Sequence, residues 1–299
     1  PEIPGLVAHY PFDDWTGKTV PNAANPKLAG VAVEGPKAVP GRHGRAALLS
    51  GENGFNFPAV GHFTRSDPFT LGLWVKPATL PPRAVLAHHS MAPIDAGSRG
   101  YELLLEDGKP AFGLHHMWPG NSLKVRAKQP VPANEWTHLA ATYDGGSAAK
   151  GVTIFVNGRP VETEVIRDKL TKDITYGGNE PNLAIGFRFR DSGFKGGAVD
   201  DFRVYGRDLS AAEVAVVAGI DPPDDWFDHF AATVHEPTKV AAAELRAARK
   251  ALSDFINPIP EIMVMEELSE PKPAFVLKRG AYDALGERVS ADTPKAMPP

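Results

Sequence analysis

The chain has 299 residues, 42% of them hydrophobic, enough for one sizeable core and a smaller appendage. Its net charge is only −4, with no polybasic block and no apolar run of about 18 residues, which argues against nucleic-acid binding and membrane insertion. Without cysteine there is no disulfide framework, thiolate metal site, haem attachment or cysteine nucleophile, and the compartment is left open. Charge divides unevenly: residues 1–220 carry 23 Lys and Arg against 22 Asp and Glu, and residues 221–299 carry 9 against 14. A start at Pro1, without Met or a signal peptide, reads as a piece of a longer protein.

Leu6 to Phe12 predicts a first strand, stopped by Asp13-Asp14. Residues 15–45, rich in Gly, Pro, Asn and Lys, read as loop with short strand pieces. Gly44 to Gly51 is the next strand, and Asn53-Gly54 turns the chain into Phe55-Asn56-Phe57. Phe69 to Lys76 alternates, with Phe69, Leu71, Leu73 and Val75 on one face and Trp74 on the other. Strands follow at Ala84–His88, Gly100–Glu106 and Lys109–His115, the last two joined by Asp107-Gly108. Leu123–Ala127, Glu135–Asp144, Val152–Val156 and Arg159–Val165 come next, the final pair turning at Asn157-Gly158. Leu183–Phe189 then leads through glycines to a closing strand, Ala198–Tyr205. Strict alternation puts Val199, Asp201, Arg203 and Tyr205 on one of its faces and Asp200, Phe202 and Val204 on the other. Ser210 and Glu213 form a capping box on a short helix. Roughly a dozen strands spaced by turn dipeptides predict an all-β, two-sheet antiparallel jelly-roll sandwich over residues 1–219.

After Asp221-Pro222-Pro223 the character changes. Thr238 to Phe255 is an Ala- and Arg-rich helix with Val240, Leu245, Ala248 and Leu252 along one stripe. Ile259–Met265, an acidic stretch with proline, Phe275–Gly280 and a Pro-rich end follow. Residues 220–299 cannot build a core alone. They read as a helical and irregular extension, a linker helix and the leading edge of a following domain. Trp15 and Trp226, in loop and linker, are expected to clamp this tail to the sandwich.

Several landmarks stand in order: Tyr10-Pro11-Phe12-Asp13, Gly44-Arg45-Ala46-Ala47, Phe69 to Val75, Trp136 to Gly145, Val156-Asn157-Gly158 and the closing Asp200-Asp201-Phe202-Arg203-Val204-Tyr205 with its Leu209-Ser210-x-x-Glu213 turn. In this order the chain resembles laminin-G-like domains of the concanavalin A-like lectin/glucanase superfamily over about residues 5–219. The resemblance implies the jelly roll and a structural calcium held by Asp13, carbonyls near Gly51, and Asp200. The alternative is that Asp200 only accepts hydrogen bonds from backbone groups of the N-terminal segment. No organic cofactor is expected. Glu261–Met265 and Pro273–Asp283 resemble the entry to an uncharacterised domain of large planctomycete-type, cytochrome-c-containing proteins. That implies a secreted or periplasmic parent whose other domains are partners of this one.

Chemistry is constrained by what is missing. A glucanase of this fold needs paired carboxylates, typically Glu-x-Asp-x-x-Glu, and none occurs. Asp200 and Asp201 alternate to opposite faces, and Glu102 and Glu106 read as a solvated outer face. There is no HExxH, GxSxG or P-loop. The pairs His88-His89 and His115-His116 each send one ring in and one out, which favours packing or ligand hydrogen bonds over a transition-metal site. Trp74 and Trp136 read as core or sheet-face residues. In the loop His115 to Ser122, Trp118 stands beside Pro119 and Gly120, outside any alternating pattern. We read Trp118 as a stacking platform for a sugar ring, with His88, His116 and Asn121 as hydrogen-bonding groups. Arg188 and Arg190, in Phe187 to Lys195, would meet an acidic substituent. The expected function is non-catalytic polysaccharide binding. The alternative is a docking module without a glycan ligand, with Trp118 covered by residues 226–290.

Overall fold

The computed structural model describes residues 3–15, 17–262, 264–265, 270, 272–290 and 292–293. It divides into two compact units, Pro1–Pro258 and Ile259–Pro299. The first is the expected two-sheet antiparallel jelly roll. Among the described residues, its eight-stranded sheet runs Arg159–Pro160, Val152–Val156, Thr137–Tyr143, Phe69–Lys76, Lys195–Tyr205, Arg45–Ser50 and Lys37–Pro40, with Leu6–Tyr10 also paired to Lys195–Tyr205. The nine-stranded sheet runs Thr163–Asp168, Asn121–Ala127, Lys109–Met117, Gly100–Glu106, Arg83–His89, Leu183–Ile185, Gly54–Phe57, Gly30–Val33 and Thr19–Val20.

Alternation along these strands makes the core. Phe69, Leu71, Leu73 and Val75 face Tyr101, Leu103, Leu105, Phe112 and Leu114 across the sandwich, all fully buried. Each such side chain contributes about 1.5–3 kcal/mol of transfer free energy. Rings lock the layers together: Phe69 meets Tyr101 of the other sheet at 4.9 Å and Phe112 edge-on at 5.9 Å.

Three expectations are corrected. In the closing strand, Asp201 takes φ 51° and the register shifts between Asp200 and Arg203. This bulge resets the alternation, so Phe202 and Val204 join Val199 in the core while Arg203 and Tyr205 face out with Asp200. The strand expected over Arg159–Val165 breaks after Pro160, which has no N–H to continue a ladder; Arg159–Pro160 and Thr163–Asp168 belong to different sheets. The strand expected over Leu183–Phe189 ends at Ile185. Gly186 has φ 89°, and a β-carbon there would meet Leu49 Cδ1 at 2.6 Å, so only glycine lets the chain leave the sheet at this point.

Among the described residues, three α-helices follow the closing strand. α1 (Ala211–Val217) carries the expected Ser210–Glu213 capping box. It packs Val214 and Val217 against Ile3, Ala140, Phe155, Tyr205 and Leu209, outside the eight-stranded sheet. α2 (Phe227–Thr233) has no counterpart among the predicted elements, and α3 (Glu236–Ile256) extends the predicted helix by two residues at its start and one at its end. α3 is tied to the sandwich through polar groups. Arg246 pairs with Asp67, Arg249 donates to the Asp144 carbonyl at 2.7 Å, and Arg65 donates to Ser253 Oγ at 3.1 Å. Lys172 Nζ caps the carbonyls of Ile256 and Asn257 at 2.8 and 3.0 Å, where the helix dipole favours a cation. These contacts place α2 and α3 with the sandwich unit. The stripe Val240, Leu245 and Leu252 lies on a different face and stays about half exposed. Trp226 packs edge-on against His229, whose Nδ1 is 2.7 Å from Glu213 Oε1, so it sits at the tail's attachment. Trp15 instead packs at the core rim against Phe55.

In the second unit, Ala274–Leu277 and Leu285–Val289 form an antiparallel hairpin. Met263, most of the acidic stretch and the Pro-rich end lie outside the described residues.

Candidate functional site

The outer face of the nine-stranded sheet is where the structure departs most from expectation. Alternation predicts Glu102 in a solvated row, yet it has no exposed surface. The cause is the segment between Gly186 and Gly193, which folds back over the strands Arg83–His89 and Gly100–Glu106. Ser192 accepts the Val85 N–H at 2.9 Å. Arg188, also buried, donates to Glu102 Oε2 at 2.8 Å and to Ser90 Oγ at 3.2 Å while gripping Asp191. Arg83 closes the loop's base by donating to both oxygens of Asp191, at 2.8 and 3.1 Å. From the other side, Lys124 Nζ bonds Glu102 Oε1 at 3.2 Å and Glu106 Oε1 at 2.6 Å. The His115 Nε2 stands 3.4 Å from the same Glu102 oxygen.

Burial pushes the Glu102 carboxyl up, but Lys124, His115 and Arg188 together outweigh it and hold the group well below the usual carboxylate range. Burial, reinforced by Arg188, lowers the His88 imidazole to about 3, and burial also lowers His115. Both rings are therefore neutral at pH 7. The charges in this face are paired and hydrogen-bonded, which is the condition for burying them at all.

The predicted ligand residues do not converge on one open surface. Arg188 is spent on Glu102 and Asp191 and cannot reach a ligand, which corrects its assigned role. His88 is buried, with Nδ1 3.1 Å from Ser90 Oγ and Nε2 2.9 Å from the Phe187 carbonyl. It holds the loop rather than facing out. His116 Nδ1 lies 2.6 Å from the Asp173 carbonyl. Asn121, also buried, donates to Thr171 Oγ1 at 2.7 Å and accepts the N–H groups of Thr171 and Lys172 at 2.9 and 3.1 Å. Both pin residues 171–173. Trp118 is half-buried and its ring meets the sheet's own groups. His115 lies edge-on at 5.6 Å, Lys124 Nζ at 5.7 Å and the Arg167 guanidinium at 5.3 Å. Trp118 is thus engaged by side chains of the sheet and is not the open platform expected.

Arg190 alone is presented as expected. It sits at the exposed tip of the 187–192 loop with its guanidinium 5.1 Å from the ring centre of Phe189, itself 65% exposed. Together with Glu52, Phe187, Arg188, Asp191 and Ser192 they line a shallow depression of 510 Å³. The alternating Phe187-Arg188-Phe189-Arg190 hides Phe189 and Glu52 from sequence reasoning, because it reads as a continuing strand. The signal in the sequence is Gly186, the position where that strand has to stop.

Asp13 and Asp200 both reach the loop Gly41–Arg45, but as acceptors of backbone N–H groups. Asp200 Oδ2 accepts from Arg42 and His43 at 2.8 and 2.9 Å, and Asp13 Oδ1 from Arg45 at 2.8 Å. Gly51 is elsewhere, against Gly193 and Lys195. Three N–H dipoles aimed at two carboxylates stand where a calcium ion would need oxygen donors. Asp200 Oδ1 is buried without a hydrogen-bond partner. Among the described residues no three His, Asp or Glu side chains group to hold a metal. The residues as placed do not fit calcium.

The fold and the matching family agree. Residues 49–215, more than half of the chain, match the family model described as the Concanavalin A-like lectin/glucanases superfamily. The chain belongs to this superfamily. No curated protein sequence matches it. Among solved structures, it is similar to the binding domain of Paraclostridial Mosquitocidal Protein 1, at 16% identity and TM-score 0.54, with 72% of this chain and 52% of that one covered. It is also similar to Trypanosoma rangeli sialidase solved with sialic acid, at 14% identity and TM-score 0.50, covering 73% of this chain and 33% of the sialidase. Domain 4 of the GH43 extracellular arabinanase AbnA from Geobacillus stearothermophilus, solved with arabinotriose, is 23% identical with TM-score 0.49, covering 71% of this chain and 98% of that domain. The chain thus spans about half of the toxin domain and a third of the sialidase. Identities this low establish the shared sandwich of the superfamily and nothing finer.

Proposed function

We propose that this superfamily member is a non-catalytic glycan-binding module of a larger extracytoplasmic protein. The observation that carries the reading is the 187–192 loop. Its base is locked by Arg188–Glu102 and Arg83–Asp191, and its tip presents Phe189 and Arg190 above a depression. An exposed ring with adjacent polar groups suits a sugar, whose C–H face stacks while its hydroxyls are hydrogen-bonded. Relatives of this fold described as binding domains support the same reading. A hydrolytic role has little support, since glycosidases require a carboxylic acid that stays protonated beside a second carboxylate. Glu102 is held ionised among cations, and Asp200, the acid pushed up to about 6, is buried beneath the 41–45 loop. A polysaccharide panel read by calorimetry, with wild type beside Phe189→Ala, tests the proposal. Binding lost in the variant supports it, and no binding by wild type overturns it.

One observation favours the docking alternative. Phe227, Phe230, Val240, Leu245, Leu252 and Phe255 on α2 and α3 are all 47% exposed or more. Cross-linking from positions 245 and 252 to another domain of the parent chain would support it.

A further inference from the structure

The depression at the 187–192 loop carries an unusual charge balance. Arg188 and Asp191 line it but are neutralised from behind, by Glu102 and by Arg83. Arg190 and Glu52 also line it, both are exposed, and neither makes an ion pair among the described residues. One free cation and one free anion therefore share a wall whose other charges are already matched.

An unpaired guanidinium on its own would select an oxyanion through bidentate contact. Glu52 in the same wall opposes that, because a carboxylate or sulfate drawn to Arg190 would also approach a like charge. A hydroxyl suits both groups at once: its oxygen accepts from the guanidinium and its hydrogen is donated to the carboxylate. Adjacent hydroxyls on a sugar ring supply both, and the ring's C–H face can lie on Phe189. Arg190 stands on the loop locked at its base and Glu52 on the short turn between the strands Arg45–Ser50 and Gly54–Phe57, so little backbone ordering is needed on binding.

We infer that this site takes a neutral saccharide with adjacent free hydroxyls, not the uronic or sulfated glycan that a pair of arginines would suggest. The inference rests on the glycan-binding reading and specifies its ligand class. The test is calorimetric titration of the full chain with oligosaccharides from a neutral glucan and a neutral mannan, and with polygalacturonate and a sulfated galactan. Glu52→Gln, Arg190→Gln and Phe189→Ala are run beside wild type. Wild type is expected to bind a neutral oligosaccharide, with affinity changing less than about twofold between 50 and 500 mM NaCl. Each variant should lose about tenfold or more, as expected for removing a hydrogen bond to a charged group or a stacking ring. All three positions are exposed, so the folds should be unchanged. Glu52→Gln should in addition gain salt-sensitive binding of polygalacturonate, because only Glu52 holds the anion off. Wild-type binding confined to the acidic polymers, or neutral binding indifferent to Glu52→Gln and Arg190→Gln, overturns this inference and leaves glycan binding standing. Binding to none of the four overturns both.

Discussion

A β-carbon at Gly113 would stand 2.6 Å from His115 Nε2. The strand gives up a side chain at the centre of the charged face so that the imidazole can lie over it toward Glu102. Gly113→Ala is expected to displace His115 and cost about 1–3 kcal/mol of stability, measured by urea unfolding. Glu102→Gln is more severe, because it removes the carboxylate shared by the buried Arg188 and Lys124 and leaves each with one acidic partner, Asp191 and Glu106; a loss of about 3 kcal/mol is expected. The same variant should loosen the loop it anchors, seen as faster hydrogen exchange at residues 187–192. Asp13 and Asp200 lead to a third expectation at this scale. Their N–H partners stand where a calcium ion would need oxygen donors, so EDTA should leave the thermal midpoint unmoved, whereas a drop of several degrees reversed by calcium would refute it.

Among elements, α2 and α3 differ from the strands in how they are held. The strands are joined by ladders and a shared core; α3 is attached by Arg246, Arg249, Ser253 and Asn257, with its apolar stripe outward. The buried clusters of the sandwich end with Val217. A chain ending at Ile220 is therefore expected to unfold cooperatively within a few degrees of the longer one, checked by scanning calorimetry, and a collapse of the transition would refute it. This division also shows what was legible in the sequence. Period-two patterning marked strands such as Phe69–Lys76 and Gly100–Glu106 to the residue, because large apolar residues recur at every second position on the core face of each. The bulge at Asp201 was not legible, since alternation takes no account of an inserted residue; at Gly186 the glycine was in view, but not the crowding by Leu49 that makes it necessary. The site was less legible still. Trp118 looked exposed because its neighbours are Pro and Gly, but Lys124 and Arg167, which meet its ring, come from other strands. Arg188 and Arg190 are two residues apart and equally basic, yet a partner contributed by Gly100–Glu106 buries one and leaves the other at the tip.

For the whole molecule, buried titratable groups fix the response to pH. Burial, the leading cause in each case, lowers His88 to about 3 and both His89 and His138 to about 4, against an ordinary 6.5. Between about pH 6.5 and 4 the unfolded chain binds protons at these rings that the folded chain refuses, so stability is lost as pH falls. Asp200 runs the other way. Burial raises it from 3.8 to about 6, so the folded chain keeps a proton that the unfolded chain has released, and its contribution is lost as pH rises through that window. Each tenfold change in proton affinity on folding is worth about 1.4 kcal/mol, so the three rings outweigh the one carboxyl. The thermal midpoint should fall steeply from pH 7 to 4.5, and more steeply in Asp200→Asn; a flat profile would contradict this account.

The locked base of the 187–192 loop has a consequence for how such a protein can change. Residues 188 and 191 face inward and hold the frame, while 189 and 190 face outward and hold nothing in the fold. The two structural residues flank an exposed pair, and the two sets do not overlap. The side chains at 189 and 190 can be exchanged with little effect on the sandwich, provided that residue 190 tolerates the left-handed backbone it adopts, φ 57°. Under the proposed glycan-binding role, the tip of this loop is a grafting point on which ligand preference can be rewritten with little change in stability.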